Sequence, residues 1–150
     1  MAIPYFKQQS SWTCGPASLR MVLASFGIKI SEAQLAKALK TNRIQGTAES
    51  ALPLVAKQHK LTYHLGRDGT FAQLQKFLKQ RYQIIVSYYI PEEKTGHFSV
   101  LKRISKNTVY FLDPWYGPKH KLSKKSFLKV WKNNPARSKE KRWYFAVKKL

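Results

Sequence analysis

Acidic side chains are scarce in this 150-residue chain: seven Asp and Glu stand against 28 Lys and Arg, a formal charge of +21. Such a field attracts something anionic, whether nucleic acid, an acidic peptide or an anionic membrane surface. Cysteine occurs once, as Cys14, which excludes an internal disulfide. With no Cys-x-x-Cys or His-x-x-x-His element either, no metal or other cofactor is expected. A lone thiol fits a reducing compartment. No apolar run approaches the roughly eighteen residues of a membrane span, and "MAIPYFKQQS" lacks the basic-then-apolar layout of a secretory signal, so the expected location is the cytoplasm. Repeats, low-complexity tracts and linkers are absent as well, and the expectation is one domain over residues 1–150. An apolar content of 43%, with eight Phe, eight Tyr and four Trp, is enough to build its core.

Helix signals come first along the chain and strand signals later. "GPASLRMVLASFG" places Pro16 near a first helical turn, an apolar face on Leu19, Val22, Leu23 and Phe26, and a stop at Gly27. "SEAQLAKALK" and "TFAQLQKFLKQ" each open on a capping box, Ser31 with Gln34 and Thr70 with Gln73. A third helix over "TAESALPLVAKQHK" is truncated or kinked by Pro53. Beyond residue 83, "QIIVSYYI", "HFSVLKRI", "TVYFLDP" and "RWYFAVKKL" read as strands, with a short helix at "SKKSFLKVWKN". The pattern predicts an α+β fold, N-terminal helices packed on a mostly antiparallel C-terminal sheet.

The one cysteine gains meaning from its position. Cys14 directly precedes Gly15-Pro16, at the start of the first helix, where unpaired N–H groups and the positive dipole end favour a thiolate. Gly15 presents no side chain to block a substrate backbone. An isolated cysteine is otherwise a small core residue, so the reading depends on partners. His97 opens one strand and Asp113 ends the next, and a hairpin turning near Lys106-Asn107 brings them together. Asp113 is then set to hold Nδ1–H of His97, leaving the other ring nitrogen to face the thiolate. A plain turn-capping role for Asp113 before Pro114 is the competing reading. His59 and His64 have no metal spacing, and His120, among lysines, is expected in solvent.

With these residues in order, "Q-x-x-x-x-x-C-G-P-A-x-L-x-M-V-L-x-x-F-G", "GHF-x-V-L" and "LDP" resemble the bacteriocin-processing peptidases. These are papain-like cysteine peptidases that cut leader peptides after a double glycine, either as the N-terminal domain of peptide-exporting ABC transporters or alone. The resemblance covers nearly the whole chain. It implies a papain-like fold, Cys14 as nucleophile, His97 as general base and acid, and Asp113 as its orienter. Gln8, six residues before Cys14, falls where the family keeps its oxyanion-hole glutamine. Transporter-fused members commonly carry an acidic residue just before the cysteine. Here Thr13 stands there, and the pattern is closer to the stand-alone relatives.

The implied reaction is acyl transfer through a thioester. A cleft for Gly-Gly is narrow and walled by large side chains, for which Trp12, Tyr88, Trp115 and Tyr116 are the candidates. The implied partners are a peptide, with an acidic leader matched to the basic surface, and an ABC transporter. Two other readings stand beside this one. A transpeptidase or amidase would use the same triad, and a basic nucleic-acid-binding module would interleave lysines with Trp131, Trp143, Tyr144 and Phe145.

Overall fold

The computed structural model describes residues 2–150. Helix α1, Cys14–Ser25, has Pro16 inside its first turn, where a missing N–H costs no helical bond, and gives way at Gly27, whose φ of 81° favours glycine. Helix α2, Glu32–Ala38, starts on the Ser31/Gln34 capping box. Pro53 truncates the next segment rather than kinking it. A 3₁₀ turn, Glu49–Ala51, leads into α3, Leu52–Gln58, with Pro53 in its first turn. Strand β1, Thr62–Gly66, and helix α4, Phe71–Lys79, follow, α4 opening on the Thr70/Gln73 capping box. The remainder is β2, Gln83–Ile90; β3, Thr95–Ile104; β4, Thr108–Leu112; β5, Lys121–Ser123; α5, Lys124–Val130; and β6, Tyr144–Lys148.

The six strands form one antiparallel sheet in the order β1-β6-β2-β3-β4-β5. Its alternation feeds two cores. On one face Ile85, Phe98, Val100, Phe145 and Val147 meet Leu19, Val22 and Leu23 of α1, Leu35 of α2 and Leu52 and Val55 of α3. On the other, Ile84, Val86, Leu101 and Phe111 meet Leu74 of α4 and Phe127 of α5, with Trp131 just beyond. The expected α+β layout holds, with helices on both faces of the sheet. Full cover explains why β2 reads as a continuous apolar run. Among the described residues no helix is long and apolar enough to cross a membrane.

Two features bring distant chain segments to one place. The β3–β4 hairpin turns at residues 105–107, with Ser105 N–H donating to Thr108 O at 2.9 Å, and returns the chain to Asp113 beside His97. The N-terminal segment lies against the end of β4, Tyr5 Oη donating to Asp113 O at 2.6 Å and Gln8 N–H to Pro114 O at 2.9 Å.

Candidate active site

Cys14 is the first residue of α1, so its N–H is one of the four that have no intrahelical acceptor. Its Sγ accepts the Phe98 N–H at 3.4 Å, which seats the sulfur against the strand that carries His97. His97 and Asp113 are both buried, and Nε2 of His97 lies 2.8 Å from Oδ1 of Asp113. The structure thus brings together the three residues picked from sequence, with the ring nitrogens exchanged. With Nε2 on Asp113, the hydrogen bond between His97 and Cys14 falls to Nδ1.

The turn-capping and dyad readings of Asp113 share a single carboxylate. Oδ1 accepts from His97 Nε2 and from the N–H groups of Trp115 and Tyr116, each at 2.9 Å. The same turn closes through Asp113 N–H to Gly117 O at 3.0 Å, and Gly117 takes a φ of 114°, open to glycine. Burial pushes the Asp113 pKa up. The hydrogen bond and charge of His97, with the Tyr116 and Trp115 amides, outweigh it and leave Asp113 at about 2. Asp113 is therefore ionised and can only accept, so Nε2 carries a proton. For His97 burial acts downward, but hydrogen bonds to Asp113 and Cys14 and the charges of both push it up to about 10.

Gln8 is buried beside Cys14 in the same cleft. Its Nε2 gives one hydrogen to Ser10 O at 2.7 Å, which leaves a second, while Oε1 is buried without a partner. Gln9 anchors by backbone: its N–H donates to both carboxylate oxygens of buried Glu32, at 3.2 and 3.0 Å. Thr13 is buried, sharing a hydroxyl contact of 2.9 Å with Ser10.

Gln8, Cys14 and His97 open onto a cleft of about 690 Å³, of which Trp12 and Trp115 form part of the lining. Tyr116 is not in that lining; it is exposed, its ring 5.8 Å from that of His97. Tyr88 is no part of the wall. It faces His97 directly across β2 and β3, is buried, and donates its hydroxyl to Asp113 Oδ2 at 2.8 Å. His120 is likewise not in solvent. It is half-buried, stacked 4.9 Å from Tyr116 and 5.6 Å from Phe111, with Nε2 3.5 Å from the Tyr88 hydroxyl. Gly15 is buried too, and its missing side chain makes room for Thr47 rather than for substrate, since a Cβ there would lie 2.5 Å from Thr47 Oγ1.

Sequence reasoning missed most of the opposite wall. Residues 42–46 form a tight turn in which Asn42 Oδ1 accepts the N–H groups of Ile44 and Gln45, leaving Ile44 86% exposed at the cleft lip. The available signal was the Asn and Gly of "NRIQG". Glu49 lines the cleft as well, its pKa raised to about 8 by burial and then by its hydrogen bond and like charge with Glu140, whose carboxylate pairs with Arg67 at 2.9 Å. Among the described residues no cluster of three or more His, Cys, Asp or Glu is placed to hold a metal ion. The aromatics needed for base stacking, Trp131, Trp143, Tyr144 and Phe145, are buried in the cores, which removes the platform that the nucleic-acid reading required.

Comparison with known proteins bears on family and fold. The model of the Peptidase C39 family matches residues 2–140. The lactococcin-A transport/processing ATP-binding protein LcnC of Lactococcus lactis is 34% identical over 128 residues, 85% of this chain but 17% of LcnC. Among solved structures, the peptidase domain of Streptococcus ComA, described as a bi-functional ABC transporter involved in quorum sensing, superposes with a TM-score of 0.75 at 23% identity, over 99% of this chain and 100% of that one. A double glycine motif protease from an AMS/PCAT transporter, solved with its leader peptide, gives 0.70 at 20% identity, over 98% and 93%. At these identities the structural likeness shows the papain-like fold.

Proposed function

The chain belongs to the Peptidase C39 family and is a peptidase; on that premise we propose that it is a cysteine endopeptidase that cuts a leader peptide after a double glycine, through a thioester on Cys14. The observation that carries the reading is the buried His97–Asp113 pair at 2.8 Å beside a sulfur seated at a helix start. Cys14 Sγ attacks the scissile carbonyl carbon. The oxygen, now negative, is received by the Cys14 N–H and the second hydrogen of Gln8 Nε2. As the C–N bond breaks, His97 gives its Nδ1 proton to the leaving amine and the acyl group stays on sulfur. His97 then takes a proton from water, which attacks the thioester and releases the acid and the thiolate.

Trp12 and Trp115 are the wall residues that restrict the cleft to residues without a Cβ. The leader is acidic, to suit the charge of +21, and the product passes to a peptide-exporting ABC transporter. The place of action is the cytoplasm, where a lone thiol stays reduced. The test is cleavage of a synthetic Gly-Gly leader peptide and of its Ala-Ala counterpart by wild type and Cys14→Ala, followed by mass spectrometry. Wild type is expected to cut only the first peptide, after the second glycine, and the variant neither. Equal turnover by Cys14→Ala overturns the assignment.

A further inference from the structure

We propose that Tyr88 is a positioning residue, which fixes the carboxylate plane of Asp113 and through it the ring of His97. The proposal rests on the peptidase reading for its consequence in turnover, but its geometry stands alone. The two oxygens of Asp113 are supported unequally. Oδ1 accepts three donors, from His97, Trp115 and Tyr116, and these fix that atom but leave the group free to pivot about it. Oδ2 accepts from Tyr88 Oη at 2.8 Å, the contact that stops the pivot.

The placement of Tyr88 has no other evident purpose. Its ring packs 5.8 Å from Phe111 and 6.3 Å from Phe127, in an aromatic core that phenylalanine would fill equally well. A hydroxyl carried into such a core must find a partner or cost stability, and here it finds the one carboxylate in reach. Register makes this inevitable, because Tyr88 stands directly opposite His97 and its ring meets the imidazole edge-on at 5.4 Å. Burial first, and then the charge and hydrogen bond of Asp113, push the Tyr88 pKa above the ordinary tyrosine value, so the hydroxyl keeps its proton and always donates. His120, stacked on Tyr116, closes the far side of the hydroxyl. The titratable groups that face the pair are thus Cys14 from α1, Tyr88 from β2, Tyr5 from the N-terminal segment, and Tyr116 and His120 after β4.

The test is Tyr88→Phe, which keeps the ring and removes one O–H. The His97 ring is titrated by NMR without substrate, its signals assigned with His97→Ala, and kcat and KM are measured on the leader peptide. We expect His97 to titrate at lower pH than in wild type, and kcat to fall about tenfold or more with KM unchanged. In an Asp113→Asn background the same substitution should add no further loss, because its effect runs through the carboxylate. An unchanged titration and kcat in a folded variant overturns the proposal, as does an equal loss in both backgrounds, the mark of a merely structural role. A shifted His97 in a protein without peptidase activity upholds the positioning and overturns the peptidase reading. Should Tyr88→Phe fail to fold, 4-aminophenylalanine at position 88, which keeps a donor there, must titrate like wild type or the proposal falls.

Discussion

At Asp113 the turn and the dyad are served by the same oxygen, so the charge and the geometry of this residue separate cleanly in Asp113→Asn. Asparagine still offers a carbonyl oxygen to the Trp115 and Tyr116 amides, and the turn survives. The negative charge is lost. His97, held at about 10 against the downward pull of burial, then loses its strongest upward support. Below its pKa His97 is an imidazolium able to protonate the leaving amine; above it that proton is gone. The alkaline limb of kcat/KM is therefore expected near pH 10 in wild type and at lower pH in Asp113→Asn, with turnover down about a hundredfold or more. A limb that stays in place means that another group sets it. Cys14, His97 and Asp113 were legible in the sequence because a helix start, a strand start and a strand end each leave a local mark. The choice between ring nitrogens was not, since it depends on which side of the imidazole α1 arrives from. Tyr88 and His120 were misplaced for a related reason: His120 has lysines beside it in sequence and aromatic rings beside it in space.

At the scale of elements, alternation and capping boxes carried most of the fold, and the strands beyond residue 83 lie where β-branched and aromatic runs put them. What escaped was held by few residues or by contacts across the chain. Strand β5 is three residues long, too short for a period to show. The 42–46 turn takes its place from outside itself. Its flank is tied by Thr41 Oγ1 to Thr47 Oγ1 at 2.7 Å and lies on the missing side chain of Gly15. Gly15→Ala tests that contact. The new Cβ would meet Thr47 Oγ1 at 2.5 Å and Thr47 Cβ at 2.7 Å, so either α1 or the turn must move. We expect a loss of about 1–3 kcal/mol, or roughly 3–10 °C in Tm, together with a fall in turnover, because the displaced wall borders Cys14. The rescue identifies the cause. Thr47→Gly in the same chain should restore much of the loss, whereas Thr47→Ala, which keeps the offending Cβ, should restore less. Equal rescue by both would place the strain elsewhere.

Over the whole molecule the charge is neither balanced nor evenly spread. No acidic residue occurs from Lys94 to Leu112 or from Pro114 to Lys139, and these stretches meet at one edge. Arg103 of β3 and Lys121 of β5 stand on either side of Tyr110 of β4, and Lys106 in the β3–β4 turn is next to Asn107, whose O accepts Lys124 N–H at the start of α5 at 2.9 Å. Of the seven acids, Glu32 and Asp113 are buried, and Arg67–Glu140 is the one Lys or Arg pair with a carboxylate among the described residues. Such a molecule repels itself, and salt relieves it. As NaCl rises from about 0.01 to 0.15 M the screening length falls from about 30 to 8 Å, and Tm should rise. For binding the sign reverses. An acidic leader is drawn in by the same field, so its KM should climb over that range while kcat holds, and a neutral peptide with the same cleavage sequence should show a flat KM. The two arms answer different questions. Rising Tm with a flat KM for both peptides would make the basic edge a solvated face with no part in substrate capture. Rising KM for the acidic peptide alone would make it the surface that brings the leader to Cys14.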